Sequence, residues 1–304
     1  MEQKSMTALV SAFSRAYHAT NNDLKIFNDY LAKVILSEQE YNQIASSMSQ
    51  GIKFFNPTFE GTEEEALRWI VDNQLSPSPL GRAAFAEKAL ENSVEMGVEQ
   101  YLILAAGYDT FGYRQPSWAE KLQVFELEHP ITLKDKLNRL GKACIEVPNN
   151  VHFIKSDFTK GDWDKNLLES SIFDKRKRSF CSLLGISYYI PRENFESLLN
   201  KLSMLIPQGS IIIFDYPDEH TFTEQAGLRT KKQLALAGKA NEKMLGSYSF
   251  SQLESLLSKN NFIISQHLTP NQITKKYFEN YNRVTGGHKI TAFDNVNYCL
   301  ATKK

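Results

Sequence analysis

The chain has 304 residues, with 35 Lys+Arg against 35 Asp+Glu, so its formal net charge is zero. Hydrophobic residues at 42% and charged residues at 23% are ordinary globular usage, which excludes disorder of the whole chain; 15 Gly and 10 Pro without a period exclude a collagenous or low-complexity protein. The neutral balance gives no support to a nucleic-acid or anionic-lipid partner, and no segment approaches the roughly 18 consecutive apolar residues of a spanning helix.

Three isolated cysteines, Cys144, Cys181 and Cys299, form neither a CxxC pair nor a disulfide framework, as expected in a reducing cytoplasm. The stretch Met1 to Ala19 lacks the apolar run and small-residue cleavage site of a signal peptide. A cytoplasmic protein without a metal site is expected.

The first 95 residues read as helices. Leu9, Val10, Phe13, Ala16 and Tyr17 fall at helical spacing within Thr7–Ala19, a second helix is expected after Asn28, and a third over Glu63–Trp69. Ser76-Pro-Ser-Pro79 reads as a turn, because each residue before a proline is pushed away from helical backbone. Gly81 to Met96 reads as a helix capped by Gly97.

After Gly97 the pattern changes. Gln100–Ala105, Leu122–Leu127, Val151–Ile154, Phe180–Leu184 and Ser210–Phe214 are short, almost continuous apolar runs, as strands buried on both faces of a parallel sheet require. Helical segments at Ile131–Leu140, Trp163–Ser170 and Arg192–Leu205 alternate with them. This alternation predicts a doubly wound, mostly parallel α/β sheet. Residues 221–246 are polar and lysine-bearing, suited to a helical insertion or lid. A helix at Ser249–Ser258, the run Phe262–Ile264 and an antiparallel edge strand at Asn295–Ala301 complete the chain. The expected organisation is a single domain: a helical cap over 1–96, a cofactor-binding core over 97–220, an insertion over 221–248, and the rest of the sheet over 249–304.

In such sheets ligands bind beyond the carboxyl ends of the strands. After the first strand stands Ala105-Ala-Gly-Tyr-Asp-Thr110, small enough for a ligand to approach the backbone, yet neither a GxGxxG fingerprint nor a phosphate loop. After the second stand Glu126 and Glu128, taken as lying on alternate sides of the strand end so that one faces the ligand groove; a carboxylate there accepts two hydrogen bonds from a ribose diol and disfavours a phosphate. After the third, Asp157 is placed to accept from an adenine amino group with Phe158 beside the ring, unless Asp157 is simply a turn residue. After the fourth, Gly185 permits close approach, and Tyr188 or Tyr189 can line a pocket. This ordered set suits a phosphate-free nucleoside, S-adenosylmethionine.

The same residues resemble a family. GVEQYLILAAGYDTFGYR (97–114), VFELEHP (124–130), VHFIKSDFTKGDW (151–163) and LLGISYYIPRENFESLLNKLSMLIPQGSIIIFDY (183–216) resemble, in order and with fitting spacing, segments of leucine carboxyl methyltransferase-like enzymes, a family that includes bacterial O-methyltransferases. The resemblance implies a class I, Rossmann-like methyltransferase fold and S-adenosylmethionine as cofactor. It also implies that Arg82 meets the methionine carboxylate, that Gly107 and Gly185 are the cradle glycines, that Glu128 holds the ribose where the family has Asp, and that Asp157 lies near the adenine. Ala105 and Asp109 belong to the same first turn. Two positions depart from the family: Ala105 replaces a glycine, and Leu184 replaces a glutamate. Ala105→Gly is accordingly expected to tighten cofactor binding while losing some stability through a freer unfolded chain.

The expected reaction is methyl transfer from S-adenosylmethionine to a carboxylate or hydroxyl of a small molecule. Tyr189 is a candidate acceptor-binding residue. So is His220, which follows the fifth strand, although an exposed loop histidine is the plainer reading of it. The two departures support an alternative, a regulatory protein that binds S-adenosylmethionine with weakened turnover. No catalytic residue, acceptor identity or oligomeric state is legible.

Overall fold

The computed structural model describes residues 5–239 and 242–304. The cap comprises α1 (Met6–Asn21), α2 (Ala32–Ile35), α3 (Glu38–Gln50), α4 (Ile52–Phe55), α5 (Glu63–Ile70) and α6 (Pro77–Glu95), with a π-helical segment at Val71–Leu75 joining the last two. The sheet region follows as β1 (Gln100–Leu104), β2 (Gln123–Glu128), α7 (Pro130–Lys142), β3 (Val151–Lys155), α8 (Lys165–Leu168), β4 (Ser179–Leu183), α9 (Arg192–Leu205) and β5 (Ile211–Pro217). The last part contains α10 (Leu228–Lys239), α11 (Phe250–Lys259), β6 (Phe262–Leu268), α12 (Pro270–Ile273), α13 (Glu279–Thr285) and β7 (Val296–Lys303).

The strand order is β3-β2-β1-β4-β5-β7-β6. Strands β1 to β5 pair in parallel, and β7 runs antiparallel to both β5 and β6. The expected doubly wound, mostly parallel sheet is present. The C-terminal strand is antiparallel as expected but lies one place inside the edge, because β6 is the outermost strand.

Alternate side chains of the central strands feed two separate cores. Tyr101 and Ile103 of β1 join Leu80 and Phe85 of α6 on one face. Leu102 and Leu104 meet Phe195, Leu198, Leu199 and Leu202 of α9 on the other. The i, i+3, i+4, i+7 spacing of those α9 residues is the apolar stripe of a helix lying on a sheet. Every residue of β1, β4 and β5 is buried, which explains their largely apolar sequences.

Three expectations change. Ser76-Pro-Ser-Pro79 is not a free turn: Ser76 already has helical backbone and α6 starts at Pro77. Proline is tolerated there because the first N–H groups of a helix have no partner within it. The helix expected over Trp163–Ser170 shrinks to α8, a single turn in which only Leu167 is buried. Glu126 and Glu128, two residues apart on a strand, share a face, and depth separates them. Glu126 is sealed against Lys136, whereas Glu128 ends the strand at a cavity. The expected glycine cap is present, with Gly97 at φ +92° and Val98 N–H donating to Ser93 O at 3.0 Å. The insertion appears as α10; residues 240 and 241 of the expected 221–248 span lie outside the described residues.

Four side chains tie the helical segments together over the sheet. Arg139 of α7 donates to both carboxylate oxygens of Glu40 in α3, each at 2.6 Å. Arg229 of α10 donates to Asn73 O at 3.3 Å and to Thr291 O at 3.1 Å, and Lys232 donates to Phe55 O. The Glu242 carboxylate accepts the Met6 and Thr7 N–H groups at 3.0 and 3.2 Å, joining the segment after α10 to the start of α1. Among the described residues no helix is long and apolar enough to cross a membrane, and no cluster of His, Cys, Asp or Glu suits a metal ion.

Candidate cofactor and acceptor site

A cavity of about 630 Å³ opens over the carboxyl ends of β1, β2 and β4. It is covered by α1, the π-helical segment and α10, and its size is that of a small-molecule site.

The turn after β1 forms its floor. Ala105 and Gly107 have φ of +52° and +50°. Glu128, 7% exposed, accepts the Gly107 N–H through Oε2 at 2.6 Å and the His129 N–H through Oε1 at 2.7 Å. Burial raises its carboxyl above the ordinary glutamate value, and these two N–H bonds oppose the rise. The carboxylate therefore locks the first turn to the second strand end while facing the cavity. Asp109 also lines the cavity, and its Oδ1 accepts the Phe111 N–H at 2.7 Å, which stabilises the following 3-10 turn.

The opposite side is built on Asp215, the fully buried fifth residue of β5. Its Oδ1 accepts the Gly185 N–H at 2.6 Å. Its Oδ2 accepts the Tyr188 hydroxyl at 2.8 Å and faces Arg82 Nη1 of α6 at 3.3 Å. Burial works against the Arg82 charge, but Asp215 keeps its pKa above the ordinary arginine value. Gly185 has φ +73°, and a Cβ there would lie 2.7 Å from Arg82 Cζ, so glycine is required both for the turn and for the guanidinium resting on it.

The structure thus brings together Arg82, Ala105, Gly107, Asp109, Glu128, Gly185 and Tyr189 around one cavity. Three other sequence candidates do not line it. Asp157 closes its own turn, accepting the Thr159 N–H at 3.1 Å and its hydroxyl at 2.5 Å. The ring of Phe158 packs on Trp163 at 5.3 Å. His220 is exposed, its N–H donating to Asp218 Oδ1 at 2.9 Å. Short polar side chains at loop starts satisfy nearby backbone first, which explains Asp157.

Sequence reasoning missed Asp215, visible only as the one acid in the run IIIFDYP. It also missed the polar wall contributed by Gln74 and by Thr230 and Gln233 of α10, for which no motif exists. Leu184 lines the cavity where the resembled family has a glutamate, so this part of the wall is apolar.

The donor set fits S-adenosylmethionine. A buried carboxylate without an opposing cation suits a ribose diol, a guanidinium with spare donors suits a carboxylate, and glycine turns at the floor leave room for the chain between them.

The left-handed backbone at Ala105 revises one expectation. An L-residue in this conformation costs about 1–2 kcal/mol, whereas glycine costs about 0.4–1 kcal/mol through the unfolded chain. Ala105→Gly is therefore expected to leave stability unchanged or raise it by up to about 1.6 kcal/mol. Urea denaturation checks this, and a clear loss of stability would mean that the Ala105 methyl is a needed packing contact.

A model of the leucine carboxyl methyltransferase family matches residues 8–203. A Bacillus subtilis (strain 168) protein, YktD, named provisionally as an S-adenosyl-L-methionine-dependent methyltransferase, is 38% identical over 307 aligned residues covering 99% of each chain. A Mycobacterium marinum (strain ATCC BAA-535 / M) protein with the same provisional description is 26% identical over 218 residues, 72% of this chain and 67% of its own. Among solved structures, a DUF574 family protein from Streptomyces avermitilis MA-4680 superposes with a TM-score of 0.60 at 12% identity, covering 97% of both chains. A provisionally assigned methyltransferase from Thermobifida fusca YX gives 0.56 at 12% identity, covering 99% of this chain and 96% of its own.

Proposed function

The chain belongs to the leucine carboxyl methyltransferase family, whose cofactor is S-adenosylmethionine, and from that membership we propose that it methylates an oxygen of a small molecule enclosed beneath the helical cap. The observation that carries the reading is the covered cavity itself: Glu128 at the end of β2 and Arg82 of α6 border it on opposite sides, and apolar residues such as Leu236 and Met244 add to its lining.

When bound, the cofactor supplies an electrophilic methyl group on a sulfonium. The work left to the protein is alignment and exclusion of water, which can supply a large part of the acceleration. Glu128 holds the ribose, Arg82 holds the methionine carboxylate, and the turns at Ala105–Gly107 and Gly185 form the floor between them. The Tyr189 phenol is raised by burial, so it stays protonated and serves as a donor rather than a base. The cap and α10 keep solvent from the acceptor.

The regulatory alternative rested on Ala105 and Leu184. Ala105 keeps the left-handed turn that a glycine would adopt, which weakens one of its two supports.

Calorimetry with S-adenosylmethionine tests the reading. Glu128→Ala is expected to weaken binding by about 1.5–3 kcal/mol, the range for hydrogen bonds to a charged group. Because the substitution also orphans the Gly107 and His129 N–H groups, urea denaturation of Glu128→Ala and of Glu128→Gln, which keeps an acceptor for one of the two, reads the folding loss separately. An unchanged dissociation constant removes Glu128 from the site. Transfer of labelled methyl to an acceptor separates an enzyme from a binder, and alkaline treatment of the product separates a labile methyl ester from a stable ether.

A further inference from the structure

The turn after β1 is held from two sides, and one of them is the cap. Ala105 and Gly107 both carry left-handed backbone, and a strained turn persists only where its surroundings fix it. Glu128 fixes it from the sheet through the Gly107 N–H. The second fastening is Asp29, which is 1% exposed and lies in the loop between α1 and α2. Its Oδ1 accepts the Thr110 hydroxyl at 2.6 Å and the Ala32 N–H at 3.1 Å, and its Oδ2 accepts Arg15 Nε of α1 at 2.8 Å. Arg15 Nη2 in turn donates to Tyr108 O at 2.8 Å. Asp29 therefore grips the turn at two places, Thr110 directly and Tyr108 through Arg15.

Helix α1 also covers this turn. A Cβ on Gly107 would lie 3.5 Å from the Ala8 Cβ, and Tyr108 is buried in one cluster with Leu9 and Phe13. Ser11, one turn before Arg15, accepts Arg15 Nη1 at 2.9 Å and lies 3.5 Å from Arg82 Nη2. The helix thus reaches from the Gly107 side of the cavity to the Arg82 side. Burial opposes the charge of Asp29, but Arg15 and Arg114 hold its carboxyl below the ordinary aspartate value. In the reading above, Glu128 must divide its two oxygens between the turn and a ribose diol, whereas both oxygens of Asp29 serve the cap and the turn alone.

We infer that Asp29 is a positioning residue for the cofactor: acting through Thr110 and Arg15, it holds the 105–110 turn in its receptive shape and makes order in α1 and binding of the cofactor one coupled equilibrium. The inference rests on the methyltransferase reading and deepens it, since the cap then belongs to the cofactor site as well as covering the acceptor. Coupling of this kind is reciprocal, so a cap that shapes the turn for the cofactor must itself be ordered by the cofactor.

The test uses the full chain and S-adenosylhomocysteine. Thr110→Val takes the hydroxyl away from Asp29, and Asp29→Asn removes the charge while keeping one oxygen. Each is expected to weaken S-adenosylhomocysteine about three- to tenfold, the scale of one hydrogen bond, in calorimetry under conditions where urea denaturation shows the variant to be folded. Thr110→Ser, which keeps the hydroxyl, should restore binding to within about twofold of the wild type, which general destabilisation would not do. The double variant Asp29→Asn with Thr110→Val should bind about as well as the weaker single variant, because both break the same link. Hydrogen exchange reads the reciprocal arm. Saturating S-adenosylhomocysteine should slow exchange of the amides of α1 as well as those of 105–111, and Asp29→Asn should reduce the slowing in α1. Wild-type affinity in both folded single variants, losses that add in full in the double variant, or slowing in α1 that is absent or indifferent to Asp29→Asn, each overturns the inference and leaves Asp29 a structural contact of the cap. If Asp29→Asn does not fold, Thr110→Val and Thr110→Ser decide by the same affinities. Failure of the wild type to bind S-adenosylhomocysteine at all instead overturns the methyltransferase reading on which the inference rests.

Discussion

Arg82→Met is expected to lower stability by about 3–5 kcal/mol, because it leaves a buried carboxylate without its counterion. Asp215 has no solvent exposure, and the Tyr188 hydroxyl and Gly185 N–H that remain are uncharged donors. The same substitution removes the group assigned to the methionine carboxylate, so stability and cofactor affinity fall together. Two further variants separate these effects. Arg82→Met with Asp215→Asn removes both charges and keeps an oxygen for Gly185, so most of the stability should return while S-adenosylmethionine binding stays weak. Arg82→Lys keeps the charge but loses the forked geometry that grips a carboxylate with two parallel hydrogen bonds. It should therefore weaken S-adenosylmethionine more than methylthioadenosine, which lacks the amino-acid tail. Urea denaturation and calorimetry read the two quantities. Equal losses for both ligands would limit Arg82 to holding Asp215 and the Gly185 turn.

What the sequence reveals follows from what its signals depend on. Strands β1, β2, β4 and β5 were legible because burial on both faces of a parallel sheet favours nearly continuous apolar runs, and the residues at their ends then fall at ligand positions. Gly107, Glu128 and Gly185 came from there, with the family resemblance assigning their roles; Arg82, on α6, came from the resemblance alone. Positions set by a distant partner were not legible. Glu126 and Glu128 look alike in sequence, and what distinguishes them is Lys136 arriving from α7. For Asp157 the sequence leaves a ligand residue and a turn residue both open, and only the folded chain shows its carboxyl turned back onto Thr159. The polar wall of the cavity is the extreme case: Gln74 and Thr230 lie far apart in sequence on two segments without a motif. The family match ends at residue 203, before α10 begins. Thr230 and Gln233 therefore lie beyond the matched segment.

The second large effect lies beneath the cofactor floor. Lys136 Nζ sits 2.6 Å from Glu126 Oε2, and neither side chain has any solvent exposure. The Tyr113 hydroxyl lies 3.0 and 2.9 Å from the two carboxylate oxygens. Complete desolvation makes such a pair a poor source of net stability, but breaking it is severe, because the surviving charge cannot reach water. Lys136→Met is therefore expected to cost about 3–5 kcal/mol, while Lys136→Met with Glu126→Gln, which retains an acceptor for Tyr113, should recover most of that loss. The interaction energy from this double-mutant cycle, measured by urea denaturation, is the decisive number. If single and double variants unfold at the same denaturant concentration, the loss belongs to the packing of the lysine stem and not to the stranded carboxylate.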